Sequence, residues 1–216
     1  MRCVAVADLH GNLPNNIPEC DVLLIAGDIA PDFPRMGWDP DLMRMRQVEW
    51  LKSDYAAWEQ EVPAKHILVV PGNHDWFSGL PDVAGLRSKL YIDEGCEIDG
   101  VSFWFSPWIA PVGCWNYMAS RGERKEYFKR IPPRVDVLVV HCPPHKVMDA
   151  NFAGEHCGCP ELRSAIWEKK PRFVVFGHIH EAMQSEAVML GNSVCWNVSV
   201  AYRNKQPRVF EVAPKR

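Results

Sequence analysis

Ile67-Leu68-Val69-Val70-Pro71-Gly72-Asn73-His74-Asp75 joins a short β-branched apolar run directly to a glycine, an amide, an imidazole and a carboxylate. The run's length and its Val and Ile content read as a strand buried on both faces. The same pattern recurs elsewhere in the chain. Val4-Ala5-Val6-Ala7 leads into Asp8-Leu9-His10-Gly11, and Val22-Leu23-Leu24-Ile25-Ala26 into Gly27-Asp28. Val135-Asp136-Val137-Leu138-Val139-Val140 leads into His141-Cys142-Pro143-Pro144, and Phe173-Val174-Val175-Phe176 into Gly177-His178-Ile179-His180. Five strands thus deliver polar residues at their C-terminal ends, the edge at which open α/β sheets bind ligands.

Helical patterns separate some of these runs. Residues 40–61 carry Leu42, Met45, Val48, Trp50, Leu51, Tyr55 and Trp58 at three- and four-residue spacings, with Asp39 or Asp41 as the cap and Pro63 as the stop. Residues 160–170 read as a second helix with Leu162, Ile166 and Trp167 inward, and residues 120–130 as a charged third. Asp99-Gly100, within residues 97–105, is a two-residue hairpin signal. The tail reads as two antiparallel strands, residues 193–200 and 208–212, about a turn near 204–207. With no repeat, low-complexity block or linker, the expected organisation is a single α/β domain over residues 1–216.

The chain balances 24 Lys+Arg against 27 Asp+Glu, so no broad basic surface exists to follow a nucleic-acid backbone, and no nucleic-acid polymer is expected as partner. Hydrophobic residues at 47% and charged ones at 24% exclude a largely disordered chain. The apolar stretch after Met1 is too short for a secretory signal or a membrane span. A cytoplasmic protein with no membrane association is therefore expected. Among eight cysteines only Cys157-Gly158-Cys159 is a close pair, which is not a zinc-site spacing, and reduced thiols are expected.

The strand ends supply Asp8, His10, Asp28, Asn73, His141, His178 and His180, a mixed nitrogen and oxygen set suited to two divalent transition metals. Asp28 is the natural bridge, because one carboxylate can bind two ions. Asp8/His10 and His178/His180 stand at i and i+2, a spacing that puts both side chains of a pair on one face of a strand. Two metals roughly 3.5–4 Å apart can clamp a phosphoryl group and activate a bridging water. His74, between Asn73 and Asp75, is left to act on the substrate.

Asp8-x-His10, Gly27-Asp28, Gly72-Asn73-His74-Asp75, His141 and Gly177-His178-x-His180 together resemble the calcineurin-like metallophosphoesterases. The resemblance implies a βαβ-rich double-sheet α/β sandwich with helices outside. It implies one metal on Asp8, His10, Asp28 and His180 and another on Asp28, Asn73, His141 and His178. Mn is the first expectation, with Fe, Zn or Ni as alternatives. It also implies that His74 binds the scissile phosphate and protonates or stabilises the leaving oxygen, with Asp75 orienting its ring. The blocks Ser106-Pro107-Trp108, His141-Cys142-Pro143-Pro144 with Asp149, Gly158-Cys159-Pro160-Glu161-Leu162 and Gly177-His178-Ile179-His180-Glu181 are similar to those of the metallophosphoesterase-domain brain proteins. Asn197-Val198-Ser199 and Pro207-Arg208-Val209-Phe210 extend that similarity to the tail. That subgroup and its bacterial relatives are associated with phosphodiester hydrolysis, cyclic nucleotides included. Two positions depart from it: Cys142 stands where the subgroup commonly has Gly, and Asp75 where many relatives have Glu. Gly27-Asp28-Ile29-Ala30-Pro31-Asp32 lacks the Val-Asp-Arg-Gly type segment of the protein Ser/Thr phosphatases, which sets that branch aside.

The expected activity is hydrolysis of a small phosphodiester by direct attack of metal-bridged hydroxide. A phosphomonoesterase with the same site and, in another class, a catalytically silent scaffold are the alternatives; the full set of ligands and the free His74 argue against the scaffold. A DNA nuclease is disfavoured by the missing basic stripe. Asn73, His74, Cys142, His145 and Trp108 are the expected substrate contacts. Trp76, Trp115 and Tyr117 also fall near the site loops and can either stack on a nucleobase or pack, whereas Trp104 and Phe105 read as packing. His156, beside Cys157 and Cys159, reads as part of a thiol-containing loop, and His66 as structural. The Trp-rich loop can serve as a pocket wall or as the surface of a homodimer.

Overall fold

The computed structural model describes residues 1–33, 39–77, 85–183, 186–202 and 206–214. One sheet contains β1 (Arg2–Val6), β2 (Cys20–Ala26), β3 (Ala64–Val70), β4 (Lys89–Leu90) and β11 (Arg208–Glu211), in the order β11-β1-β2-β3-β4. The other contains β5 (Glu94–Ile98), β6 (Val101–Ser106), β7 (Val137–Val140), β8 (Phe173–Phe176), β9 (Val188–Leu190) and β10 (Ser193–Asn197), in the order β5-β6-β7-β8-β10-β9. β1 to β4 are parallel, with β11 antiparallel at one edge. β6, β7, β8 and β10 are parallel, with β5 and β9 antiparallel at the two edges. All five apolar runs noted above are strands, and each is followed by its polar cluster.

The sheets pack face to face around a core in which size complements size. Cys3, Ala5, Ala7, Leu24 and Ala26 line the first sheet, and Phe103, Phe105 and Trp196 fill the space from the second. The other face of the first sheet, with Val6, Leu23, Ile25 and Val69, packs on Leu51 and Tyr55. The other face of the second, with Leu138, Val140, Val174 and Phe176, takes Phe128, Leu162 and Ile166 from its covering helices. Burial on both faces is the reason these strands read as unbroken apolar runs.

Residues 40–61 form one helical passage in three parts: α1 (Pro40–Trp50), a π-helical turn over Leu51–Tyr55, and α2 (Ala56–Glu61). Asp39 is the cap, its carboxylate accepting from the N–H groups of Asp41 and Leu42. The buried positions Met43, Gln47, Leu51, Tyr55 and Glu59 recur at every fourth residue, a spacing that the wider turn keeps on one face. Upstream of it Met43 and Gln47 face inward while Met45 is exposed. α3 (Arg121–Lys129) begins with a capping box, Ser120 and Glu123 each satisfying the other's backbone N–H. α4 (Pro160–Lys169) buries Leu162, Ala165 and Ile166. Trp167, expected inward, is 63% exposed. The inward face is already filled, and the indole lies over Gly191 at its rim.

The Asp99-Gly100 hairpin forms as expected, with Ile98 opposite Val101 and both turn residues at positive φ (48° and 75°). The tail differs from expectation. Its two strands occupy different sheets: β10 lies between β8 and β9, whereas β11 crosses over to pair with β1. A period-two pattern fixes which face of a strand is buried, not which strand lies beside it. Trp196 and Phe210 meet across the sandwich at 5.2 Å between ring centroids. Residues 204 and 205 of the expected turn lie outside the described residues.

At one end of the sandwich the two sheets are stitched together. Ala7 N–H, beyond β1, donates to Val198 O (3.0 Å), beyond β10, and Val200 N–H donates back to Ala7 O (2.9 Å). No helix among the described residues is long and apolar enough to cross a membrane, and all eight cysteines are free thiols.

Phe103→Ala, in the fully enclosed space between the sheets, is expected to cost about 3–5 kcal/mol in urea unfolding. Phe152→Ser, at a side chain 83% exposed, is expected to change stability by no more than about 0.5 kcal/mol. Equal effects would overturn the core assignment.

Candidate metal centre

Where the chain leaves the stitched strand ends it turns sharply. Asp8 (φ 58°), His10 (44°), Asp28 (53°) and His178 (70°) all adopt left-handed backbone, which L residues avoid unless the surroundings hold them there. Backbone bonds do so: Asp8 N–H donates to Gly27 O (2.9 Å) and His10 N–H to Asp28 O (3.0 Å). Two glycines permit the crowding. A Cβ on Gly27 would collide with the His141 ring, and one on Gly72 with the Asp28 carboxylate.

The folded strand ends gather two donor groups with one member in common. Asp8, His10, Asp28 and His180 bring one ligand atom each to within 4.8 Å of one another, and so do Asp28, His141 and His178. In the first group His10 Nε2 lies 3.3 Å from His180 Nε2 and 3.8 Å from Asp28 Oδ2, and His180 Nε2 lies 3.7 Å from Asp8 Oδ1. In the second, His141 Nε2 is 3.3 Å from Asp28 Oδ2 and 3.0 Å from Asn73 Oδ1. The His141 and His178 rings are 5.0 Å apart. All seven expected ligand residues thus converge. The 3.3 Å spacing of the His10 and His180 nitrogens fits two donors each ~2.1 Å from a shared ion. Imidazole with carboxylate and amide oxygen is a donor set for divalent transition ions.

The donors are aimed from behind. His141 Nδ1–H donates to the Ala26 carbonyl (2.9 Å), which turns Nε2 toward the centre. The Asp8 carboxylate accepts from His178 N–H (3.0 Å), and Asp28 Oδ1 from His74 N–H (2.8 Å). Asn197 braces the 177–180 loop by donating its amide to Ile179 O (2.8 Å) and Met148 O (3.3 Å). Gln47, buried on α1, donates to His74 O (2.8 Å) and accepts from Trp76 N–H (2.7 Å), clamping the loop that carries His74.

Protonation follows burial and neighbouring charge. Burial alone would raise the Asp28 carboxyl, but the surrounding imidazoles, His141 above all, hold it well below the carboxylate range. Burial opposes a charged His141, yet the Asp28 carboxylate outweighs it and pushes the ring up to about 9. Burial, then His141, push His178 down to about 3, and burial lowers His10 as well. These two rings are thus neutral near pH 7, the state in which imidazole binds a metal.

The His74 ring points away from its own neighbour in sequence. Its Nδ1 donates to Asp32, at 2.9 and 3.0 Å from the two carboxylate oxygens. Asp75, expected to orient this ring, is buried with its carboxylate accepting from the N–H groups of Ile29 (3.0 Å), Ala30 (3.0 Å) and Gly72 (2.8 Å). Its role is to pin the Asp28 and Asn73 loops to each other. Burial and then the Asp28 charge push Asp75 up to about 7. Sequence reasoning misses Asp32, although it stands in the segment that sets the protein phosphatases aside; His10, Asp32 and His74 form a further donor group overlapping the first. The signal for Gln47 is a polar side chain within a helix that otherwise needs an apolar inward face.

The other expected substrate contacts take other partners. Cys142 is buried in the apolar cluster under α4, together with Cys159. His145 and His156 both face the buried Asp149 carboxylate, at 3.6 and 2.7 Å, and Asp149 also accepts from the N–H groups of Lys146 and Gly158. Trp108 donates its indole N–H to Asp93 (2.6 Å) and stacks on Tyr127 of α3 at 4.2 Å. Trp115, by contrast, lies against His74 at 3.7 Å between ring centroids.

Comparison with known proteins agrees with this geometry. The chain is 29% identical to the UPF0046 protein K07C11.7 of Caenorhabditis elegans, over all of this chain and 76% of that protein. It is also 29% identical to the human metallophosphoesterase domain-containing protein 1, over 95% of this chain and 68% of that protein. The crystal structure of TT1561 of Thermus thermophilus superposes with a TM-score of 0.60 at 13% identity, covering 97% of each chain, a likeness of fold. A family model described as calcineurin-like phosphoesterase matches residues 1–182, a span that contains all seven donor residues and His74. The chain belongs to the calcineurin-like phosphoesterase family.

Proposed function

We propose that this metal-dependent phosphoesterase holds two divalent ions, one against Asp8, His10, Asp28 and His180 and one against Asp28, Asn73, His141 and His178, and that it hydrolyses small phosphodiesters. The observation that carries the reading is the buried Asp28 carboxylate, common to both donor groups. Mn suits the donors first, with Fe, Zn and Ni also compatible. Bound there, a pair of ions would polarise the phosphoryl oxygens and activate a water as nucleophile. The preference for a diester follows the likeness of the His141 and His178 blocks to the subgroup associated with such substrates. The substrate is small because the chain offers no basic surface for a polymer.

The chain's own groups divide the remaining work. His74 Nδ1–H is committed to Asp32, so Nε2 is the nitrogen that meets the substrate and gives its proton to the leaving oxygen. Burial disfavours the charged ring, but the Asp32 hydrogen bond together with the Asp28 and Asp32 charges outweighs it and raises the His74 pKa, keeping the proton available. Asp32 is the positioning residue for His74, and Asp75 holds the loop backbone beneath it.

Asp28→Asn is expected to lose both ions together, read by elemental analysis of the purified variant; retention of both would refute the shared carboxylate. His74→Ala is expected to lower turnover roughly 10²–10⁴-fold with the metal content intact. Asp32→Asn removes the Asp32 share of what raises the His74 pKa, so the alkaline limb of the kcat–pH profile is expected to move to lower pH; a fixed limb would remove Asp32 from this role. With metal-stripped protein reloaded with Mn, Ni, Zn or Mg in turn, bis-p-nitrophenyl phosphate is expected to show the higher kcat/KM against p-nitrophenyl phosphate. The reverse order would make the protein a phosphomonoesterase on the same site.

A further inference from the structure

Ring contacts run across the donor cluster from one side to the other. Trp115 lies against His74 (3.7 Å between ring centroids), His74 against His10 (4.8 Å) and His10 against His180 (5.1 Å). His180 in turn meets Tyr202 (6.1 Å, nearly perpendicular), and Tyr202 meets Phe152 (6.2 Å). The imidazoles in the middle belong to the centre already described. Aromatic side chains stand at the two ends of this run of rings, and those beyond His180 supply no ligand atom.

That second end is exposed and held in place. Phe152 is 83% exposed and Tyr202 41%. Phe152 stands on a loop whose shape is fixed from within: Asn151 Oδ1 accepts from Ala153 N–H (3.0 Å) and Glu155 N–H (2.9 Å), and Gly154 N–H donates to Asn151 O (2.9 Å). Phe152 N–H itself donates to Glu181, the residue after His180, at 3.1 Å. The loop is therefore anchored to the donor segment while its largest apolar side chain is directed into solvent. A phenyl ring carried outward on a braced loop next to the donor segment has the features of a stacking surface for a ligand.

We infer that Phe152 and Tyr202 form a subsite for a planar aromatic group, an aryl or nucleobase-bearing alcohol, on the ester arm that stays attached to phosphorus. The inference rests on the phosphodiesterase reading and makes it more specific. His74 protonates the leaving oxygen, so the departing alcohol lies at the His74 and Trp115 end. The phosphorus of a diester carries a second alcohol, and among the described residues the aromatic surface at the other end of the ring run is that of Tyr202 and Phe152. A monoester bound as substrate has its one alcohol at the His74 end and leaves this subsite empty, whereas a product-like monoester can place its arm there, so the subsite adds affinity to diester substrates.

The test keeps the leaving group constant and varies the retained arm. With Mn-loaded wild-type protein, bis-p-nitrophenyl phosphate is expected to have a KM roughly tenfold below that of methyl p-nitrophenyl phosphate, the scale of one stacked ring. In the Phe152→Ser/Tyr202→Ala double variant that preference is expected to fall to about one. Calorimetry supplies a reading independent of turnover: phenyl phosphate, the product that keeps an aryl arm, is expected to bind wild type more tightly than methyl phosphate, and the double variant to bind both alike. A preference that survives in the double variant, or is missing from wild type, overturns the subsite. If neither diester is turned over, the phosphodiesterase reading falls, and the calorimetric comparison still decides the subsite: equal wild-type affinity for phenyl and methyl phosphate overturns it, and a phenyl preference lost in the variant upholds an aromatic pocket there.

Discussion

A carboxylate enclosed by protein is tolerated only where charge and hydrogen bonds replace the water it has lost, and Asp28 is such a carboxylate. It stands at the end of β2 with imidazoles on two sides and a backbone N–H beneath it. Much of the surrounding architecture can be derived from satisfying it. Gly72 has no side chain because Asp28 occupies that space, and Gly27 has none because the His141 ring does. The left-handed turns at Asp8, His10, Asp28 and His178 bend the chain back toward one point, and the backbone bonds between neighbouring strand ends hold them bent. Asp75, itself buried next to that charge, is kept in place by three N–H donors that tie the Asp28 and Asn73 loops together. Strain of this kind persists when the structure around it is over-determined, and here two sheets supply the constraint.

The two sheets can supply it because their central strands run parallel and end at the same edge. Parallel strands need covering layers on both faces, and the chain provides them: the helical passage over residues 40–61 outside the first sheet, α3 and α4 outside the second. The close approach at the site edge depends on the core behind it. Alanines at positions 5, 7 and 26 let the first sheet come near, and Phe103, Phe105 and Trp196 set the distance from the other side. The π-helical turn brings Leu51 and Tyr55 onto the first sheet, while Gln47, upstream of it on α1, reaches the His74 loop. A feature that looks like a packing irregularity is thus part of one helical passage that also steadies the site.

Elements defined by their own sequence are legible in it: the five apolar runs, the Asp99-Gly100 hairpin, the helix opening at Ser120 and the cap at Asp39. So is the gathering of the donor residues, because a strand end is a place in the fold and residue type at that place carries the chemistry. What escapes is whatever depends on a partner far along the chain. The tail strands read as each other's partners because they are consecutive, although β11 is needed at the free edge of β1. Asp75 reads as the partner of His74 because it is adjacent in sequence, yet consecutive residues leaving a strand point apart, and the Asp32 carboxylate on a neighbouring loop can approach more directly. Periodicity alone places Trp167 inward, and it cannot register that the inward face is already full. Phe152 carries no signal, since an exposed aromatic becomes informative only when what stands beside it is known.

Charge explains how a chain of net charge −3 can attract a phosphate ester without a basic surface. Asp8 and Asp28 contribute two negative charges to the centre, so a pair of divalent ions there would leave a positive surplus confined to the strand ends. A field of that size is focused by the low-dielectric walls around it and screened within about 8 Å at physiological salt. It would draw in a small anion, whereas a polymer needs charge along its whole track. Specificity beyond the phosphoryl group then has to come from uncharged surface at the rim, and the aromatic rings on either side of the imidazoles are uncharged surface in that position.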